Sequence, residues 1–291
     1  MNRAVVSMLA KYQPQTVEDH VNAIREVIQE IALCGLWRGK FFEHAAFYGG
    51  TALRILHGLD RFSEDMDFSL LAPDPDFNLE PYAQFLEGEL AAWGFTVQVQ
   101  KKRKNITTPV ESAFLKANTR EQLLVIDAGE EVAGTVHRNQ AIRIKLEVDT
   151  DPPPHFGTDT RFLLAPIPFS VRTFDLPSFL AGKMHALLCR EWGGRVKGRD
   201  WYDFVWHLGQ GTALNLPHLE ARLRQTGHYQ EQTPLTLAEV KQMLRRRIEQ
   251  LDIEAARRDV ERFLTDPAAI QVWSRDFFIA LGEKLEIGLR T

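Results

Sequence analysis

The stretch FYGGTALRILHGLDRFSEDMDFSL, Phe47 to Leu70, sets two glycines and a threonine ahead of a short apolar helix, then two aspartates one residue apart on a strand. Side chains on a strand alternate between faces. In DMDFSL, Asp65, Asp67 and Ser69 therefore point one way, and Met66, Phe68 and Leu70 point the other way, into a core. At standard rise the two carboxylates lie ~6–7 Å apart along the strand. Unpaired, they would repel each other. Divalent cations remove that repulsion, and magnesium is commonly held by one or two carboxylates together with substrate phosphates. Glycines permit close backbone approach to a ligand. A helix start offers N–H groups and a positive dipole end, which suit phosphate. The bland alternatives are a solvent-facing acidic edge and a plain capped turn. A phosphate cradle and an acid pair this close together in the chain favour the ligand-binding reading.

A second acidic strand, IRIKLEVDT, repeats the pattern. Lys145, Glu147 and Asp149 share one face, and Ile144, Leu146 and Val148 share the other. If this strand lies beside the first, Glu147 or Asp149 becomes a third acid next to the Asp pair. Three acids can hold two ions, and two ions can clamp the attacking and leaving oxygens of a phosphoryl displacement.

The 291 residues suffice for one large domain or two ordinary ones. A content of 44% apolar and 25% charged residues is that of an ordinary globular protein. No apolar run approaches the ~20 residues that span a bilayer. The start, MNRAVVSMLAKYQ, has too short an apolar core for a signal peptide. A cytoplasmic protein without membrane contact is expected. Cys34 and Cys189 both lie in helical-looking segments, so a reduced compartment fits and neither a disulfide nor a thiolate metal site is expected. The nine histidines form no metal-ligand spacing, and His185 and His207 read as helix-surface residues. The net charge of −4 excludes a uniformly basic nucleic-acid binder. KKRK (Lys101 to Lys104) and RRR (Arg245 to Arg247) could still meet a polyanion, or be a solvated turn and a solvated helix face.

The patterns predict a helix over Thr16 to Leu33, opened by capping-box spacing of Thr16 and Asp19. A strand at Ala46 to Tyr48, a helix from Thr51 to His57 and a strand from Asp65 to Leu71 follow. Next come a helix over Pro81 to Trp93, a strand in GFTVQVQK and a strand from Ala141 to Thr150, closed by the prolines of DPPPHFG. Helices are expected at Leu176 to Trp192, Asp200 to Leu208, Pro217 to Gln225, Leu237 to Glu249 and Ile253 to Leu264, with a last one from about Ser274. The expected architecture is α+β: an N-terminal helical segment (1–40), a core with a mixed sheet (41–170) and a C-terminal helical domain (171–291).

Gly-Gly-Thr followed by Asp-x-Asp resembles the signature of the polymerase-beta-like nucleotidyltransferases. The longer string GGTALRILHGLDRFSEDMDF is similar to the AbiEii-type toxin branch, and KLEVDTDPP, FLAGKMHALLCR and KGRDWYDF follow in the expected order. The resemblance spans roughly residues 40 to 210. It implies a metal-dependent enzyme, using Mg2+ or Mn2+, that moves a nucleoside monophosphate from a nucleoside triphosphate to an acceptor. Several members act on the 3′ end of tRNA, are encoded beside an antitoxin and serve in phage defence by abortive infection. An RNA acceptor and a cognate antitoxin are therefore expected partners.

The resemblance also assigns roles. Gly49, Gly50 and Thr51 match the phosphate-binding turn, with backbone N–H groups and the Thr51 hydroxyl on the triphosphate. Asp65 and Asp67 match the metal-binding aspartates, and Glu147 matches the third acid, with Asp149 as second choice. Where the wider superfamily uses Asp, this chain has the longer Glu, which could orient the acceptor instead. Lys183 borders the apolar stripe of its helix, with Arg190 on the same side; it either snorkels to water or, as its family counterpart does, binds triphosphate. Asp200 and Asp203 are cap and solvated acid, or active-site residues holding Lys183 or Arg190. Arg199 is a candidate for contact with phosphate or RNA. The competing functions are a metal-dependent phosphohydrolase or nuclease, and a non-catalytic nucleotide-binding module.

Overall fold

The computed structural model describes residues 3–101, 119–127, 142–190 and 196–288. The chain folds into two compact units. One comprises Met1–Gly58, Phe62–Pro152 and Asp159–Thr173, the other Leu59–Arg61, Pro153–Thr158 and Phe174–Thr291.

The first unit carries the sheet. Its order, among the described residues, is β3-β4-β5-β2-β1-β7-β6. The strands are β1 (Ala45–Tyr48), β2 (Met66–Leu70), β3 (Thr96–Lys101), β4 (Thr119–Asp127), β5 (Ile142–Asp149), β6 (Thr158–Leu163) and β7 (Phe169–Phe174). β1 runs antiparallel to β2 and parallel to β7, and β2 runs parallel to β5, so the sheet is mixed and the fold is α+β. After α1 (Arg3–Ala10), α2 (Val17–Arg38) opens on the expected capping box, with the Thr16 hydroxyl accepting from the Asp19 N–H and the Asp19 carboxylate from the Thr16 N–H. α2 packs against α4 (Glu80–Ala92), and α3 (Gly49–His57) joins β1 to β2.

Register follows from burial. Phe47 and Phe68 are both fully buried, stand opposite each other across β1 and β2, and stack with centroids 5.0 Å apart. Met66 and Phe68 pair with Leu146 and Val148 of β5, all four without solvent exposure. A slip of one residue would turn this apolar set to the polar face, so the core fixes which residues meet on the other side.

The second unit is helical: α5 (Leu176–Cys189), α6 (Gly198–Gly209), α7 (Leu216–Gln225), α8 (Leu237–Glu249), α9 (Ile253–Glu261) and α10 (Arg275–Glu283). α5 packs on α6 and α7, α6 on α9, and α8 on α10. At Gly198, a Cβ would sit 1.9 Å from the Ala256 carbonyl oxygen, so only glycine lets α6 begin against α9. Trp201 and Phe278, both fully buried, meet edge to face at 4.9 Å.

Several expectations shift. The helix expected from Thr51 begins at Gly49, the strand expected from Asp65 begins at Met66, and α5 ends at Cys189 rather than Trp192. α1, β4, β6 and β7 were not foreseen. His207 is fully buried on α6, and His185 is half-buried with its Nε2 2.9 Å from the Thr226 hydroxyl, so neither is a surface residue. Burial, with Arg222 nearby, lowers the His185 imidazole to about 3. Lys102 to Lys104 of the basic block lie outside the described residues.

Candidate active site

Two constellations gather the sequence-predicted residues, one in each unit. In the first, β1 feeds directly into α3 and the chain returns along β2. The Phe47–Phe68 pairing sets Tyr48 opposite Asp67. Gly49 thereby comes against the Asp67 side chain. A Cβ on Gly49 would lie 2.3 Å from Asp67 Oδ2 and 3.0 Å from its Cγ, and Gly49 has φ +83°. Both the left-handed backbone and the neighbouring carboxylate demand glycine there. Gly50 and Thr51 are buried in the first turn of α3, where N–H groups lack intrahelical partners. The Thr51 hydroxyl donates to the Asp65 carbonyl, tying the helix start to the acidic turn. Asp65 is exposed, immediately before β2.

The β2–β5 register pairs Asp67 with Glu147 and Ser69 with Asp149. Residues opposite each other in neighbouring strands project to the same face, with backbones ~4.8 Å apart. Asp67 and Glu147 are therefore adjacent, partly exposed carboxylates above a fully buried apolar layer. Asp149 is one step further along, its Oδ1 accepting from the Asp151 N–H at 3.0 Å. Lys145, on the same face, forms an ion pair with Glu147. Asp67 and Glu147 offer oxygen donors of the kind a hard divalent cation of the magnesium class takes, whereas Asp65, just before β2, does not gather with them into a three-carboxylate cluster within 4.8 Å among the described residues.

The second constellation lies around α5 and α6. Asp203 is fully buried and accepts two hydrogen bonds from Arg61, Nε to Oδ1 and Nη2 to Oδ2, both at 2.6 Å. Lys183 on α5 reaches Asp203 Oδ2 at 2.6 Å and Asp200 Oδ1 at 3.4 Å. Arg190, at the C-cap of α5, pairs with the other oxygen of Asp200. Burial alone would push the Asp203 carboxyl up. The Arg61 guanidinium and the Lys183 ammonium outweigh it and hold the group at about 2. The cap of α6 is Lys197, so Asp200 is a charge partner in the first turn rather than the N-cap. Burial is also the main force lowering the Lys197 ammonium below its ordinary value. The Arg199 guanidinium lies over the Phe263 ring, 4.2 Å from its centroid.

Arg61 is the residue that the sequence does not single out. It sits in the loop between α3 and β2, and its partner is 142 positions away. No helical or strand period links the two.

A family model described as "Nucleotidyl transferase AbiEii toxin, Type IV TA system" matches residues 31–280. Among solved structures, JHP933 from Helicobacter pylori is 17% identical, with 90% of this chain and 89% of that chain covered at a TM-score of 0.50, a likeness of fold. MenT4, a nucleotidyltransferase toxin from Mycobacterium tuberculosis H37Rv, is 16% identical, with 98% of this chain and 99% of that chain covered at a TM-score of 0.47. No curated protein matches the chain. Among the described residues, no helix is long and apolar enough to cross a membrane.

Proposed function

The chain belongs to the AbiEii nucleotidyltransferase toxin family, whose toxins act in type IV toxin–antitoxin systems beside a cognate antitoxin, and we propose that it transfers a nucleoside monophosphate from a nucleoside triphosphate to the 3′ end of an RNA, with tRNA as the acceptor. Asp65, Asp67 and Glu147 would hold divalent cations, Mg2+ or Mn2+, which would supply charge neutralisation for the triphosphate and Lewis acidity at the attacked phosphorus. The observation that carries this reading is the register of Asp67 beside Glu147, with Gly49 opened against the Asp67 carboxylate.

The chain's own groups do the rest. The first-turn N–H groups of α3, at Gly50 and Thr51, receive phosphate oxygens. The Thr51 hydroxyl acts through Asp65, whose backbone it holds. Glu147 is the third acid for the cations, with orientation of the acceptor hydroxyl as its alternative role. Lys145 is its counter-ion before they bind. The family resemblance gives Lys183 and Arg190 as triphosphate-binding cations, and within the second unit Asp200 and Asp203 fix where those charges stand. The tRNA acceptor is supported by the family resemblance. Arg245 and Arg246, exposed on α8, suit a polyanion.

The test is incubation with each labelled nucleoside triphosphate in turn, magnesium and total RNA, followed by sizing of the labelled product. Label joined to tRNA-sized RNA, and lost in Asp67→Asn, is expected. Shortened RNA without label would put a hydrolase or nuclease in its place. Nucleotide bound without turnover on any acceptor would leave a binding module.

A further inference from the structure

α5 carries His185 and Cys189, four residues apart and so on one side of the helix. The turn after α7 brings His228 to them. The ligand atoms of the three all lie within 4.8 Å of one another. All three belong to the second unit. We propose that His185, Cys189 and His228 form a binding site for a divalent transition metal of the zinc class, with the remaining position open to water.

The surroundings of the two imidazoles support a built site. Thr226 Oγ1 lies 2.9 Å from His185 Nε2 and 2.9 Å from His228 Nδ1. The Thr226 hydroxyl gives its own proton to the Arg222 carbonyl at 3.0 Å or to the Leu223 carbonyl at 3.3 Å. With its proton on one of these carbonyls, the hydroxyl oxygen can accept from either ring. An outer oxygen that takes the N–H of a ligating imidazole fixes tautomer and ring orientation, and leaves the other nitrogen of a neutral ring with its lone pair.

A thiolate with two imidazoles selects zinc or cobalt over magnesium, the reverse of the three carboxylates on the sheet. Bonds of about 2.0–2.3 Å in a tetrahedral site put ligand atoms roughly 3.5 Å apart. Any pair standing near the 4.8 Å limit must therefore draw in by about 1 Å, and His228 is the member able to move: it is exposed and follows Gly227 at φ +75°. Arg222 and Arg247 act on the Cys189 thiol and oppose a cation, but they also favour the thiolate. Burial outweighs them and pushes the thiol up to about 12. Metal entry therefore breaks the Cys189 S–H bond and forms an S–metal bond, with the proton leaving to solvent. His185 and Cys189 follow Lys183 on the same helix, so a filled site clamps the helix that presents Lys183 to the 226–229 turn.

Cobalt titration of the untagged, metal-free, full-length protein, with magnesium in excess to occupy the carboxylates, tests the site. The expected result is about one cobalt per chain, with tetrahedral visible bands and a thiolate-to-cobalt charge-transfer band that zinc erases. Cys189→Ser should lose the charge-transfer band. His228→Ala, a substitution at an exposed position, and Thr226→Val should each weaken binding about tenfold or more. Absence of the band in the native chain, or its persistence in Cys189→Ser, would overturn the assignment. So would equal affinity in His228→Ala.

Discussion

At the scale of single residues, Gly49 is where backbone, packing and chemistry meet. Its φ of +83° and the Asp67 oxygen standing where a Cβ would be leave no room for a side chain. Gly49→Ala must either move Asp67 or unwind the start of α3. We expect nucleotide transfer to fall at least tenfold, with a stability loss of about 1–2 kcal/mol from the left-handed backbone; steady-state incorporation beside thermal unfolding separates the two. Asp203 is the second such residue. Asp203→Asn leaves the Arg61 guanidinium, 2% exposed, without its anion. Breaking a buried pair in this way costs about 3–5 kcal/mol, readable as a lowered urea midpoint. Sequence could show the acids as a pattern of alternate residues, and could offer Asp200 and Asp203 as holders of Lys183. It could not show Arg61, because an ion pair across 142 positions leaves no local trace. The proximity of His228 to His185 and Cys189 leaves no local trace either, since His228 comes from a different helix connection.

At the scale of elements, the site is a by-product of register. The stacked pair Phe47–Phe68 and the buried pairs Met66–Leu146 and Phe68–Val148 lock β1, β2 and β5, and Asp67 and Glu147 meet above them as a consequence. Phe68→Ala should cost about 3–5 kcal/mol in denaturant unfolding. It should also reduce transfer in the remaining folded protein, although Phe68 faces away from the carboxylates. β2 and β5 were legible because apolar and polar residues alternate in them. β6 was not: its burial runs exposed at every position but the last, as befits the edge of the sheet, and TDTRFL has no period to read. β7 does alternate in burial, but as FSVRTF its polar and apolar members are too few and too mixed to stand out. Helix bounds in the second unit were read to within a few residues because caps mark them, such as Thr236 with Glu239 and Ser274 with Phe277.

At the scale of the whole molecule, acid should weaken the helical unit in two windows. Burial, reinforced by Arg222, lowers the His218 imidazole to about 3, so the folded chain keeps it neutral. The unfolded chain takes up that proton first, and stability drops as pH falls from about 6.5 toward 3. Asp203, held at about 2, adds stability that is present above the ordinary carboxyl value and lost as pH falls from about 4 to 2, of order 2 kcal/mol. Urea midpoints between pH 7 and pH 3 check the sign, and in His218→Gln the decline in the upper window should shrink. The proposed nucleotide transfer requires Asp65, Asp67 and Glu147 to act together as a cation site serving a nucleoside triphosphate. Its most direct measurement is Mn2+ binding, followed by electron paramagnetic resonance with a non-hydrolysable triphosphate present, in the native chain and in Glu147→Gln and Asp67→Asn. Two bound ions are expected in the native protein, with the second lost or at least tenfold weaker in Glu147→Gln, and neither held tightly in Asp67→Asn. Equal Mn2+ binding by all three proteins would contradict it.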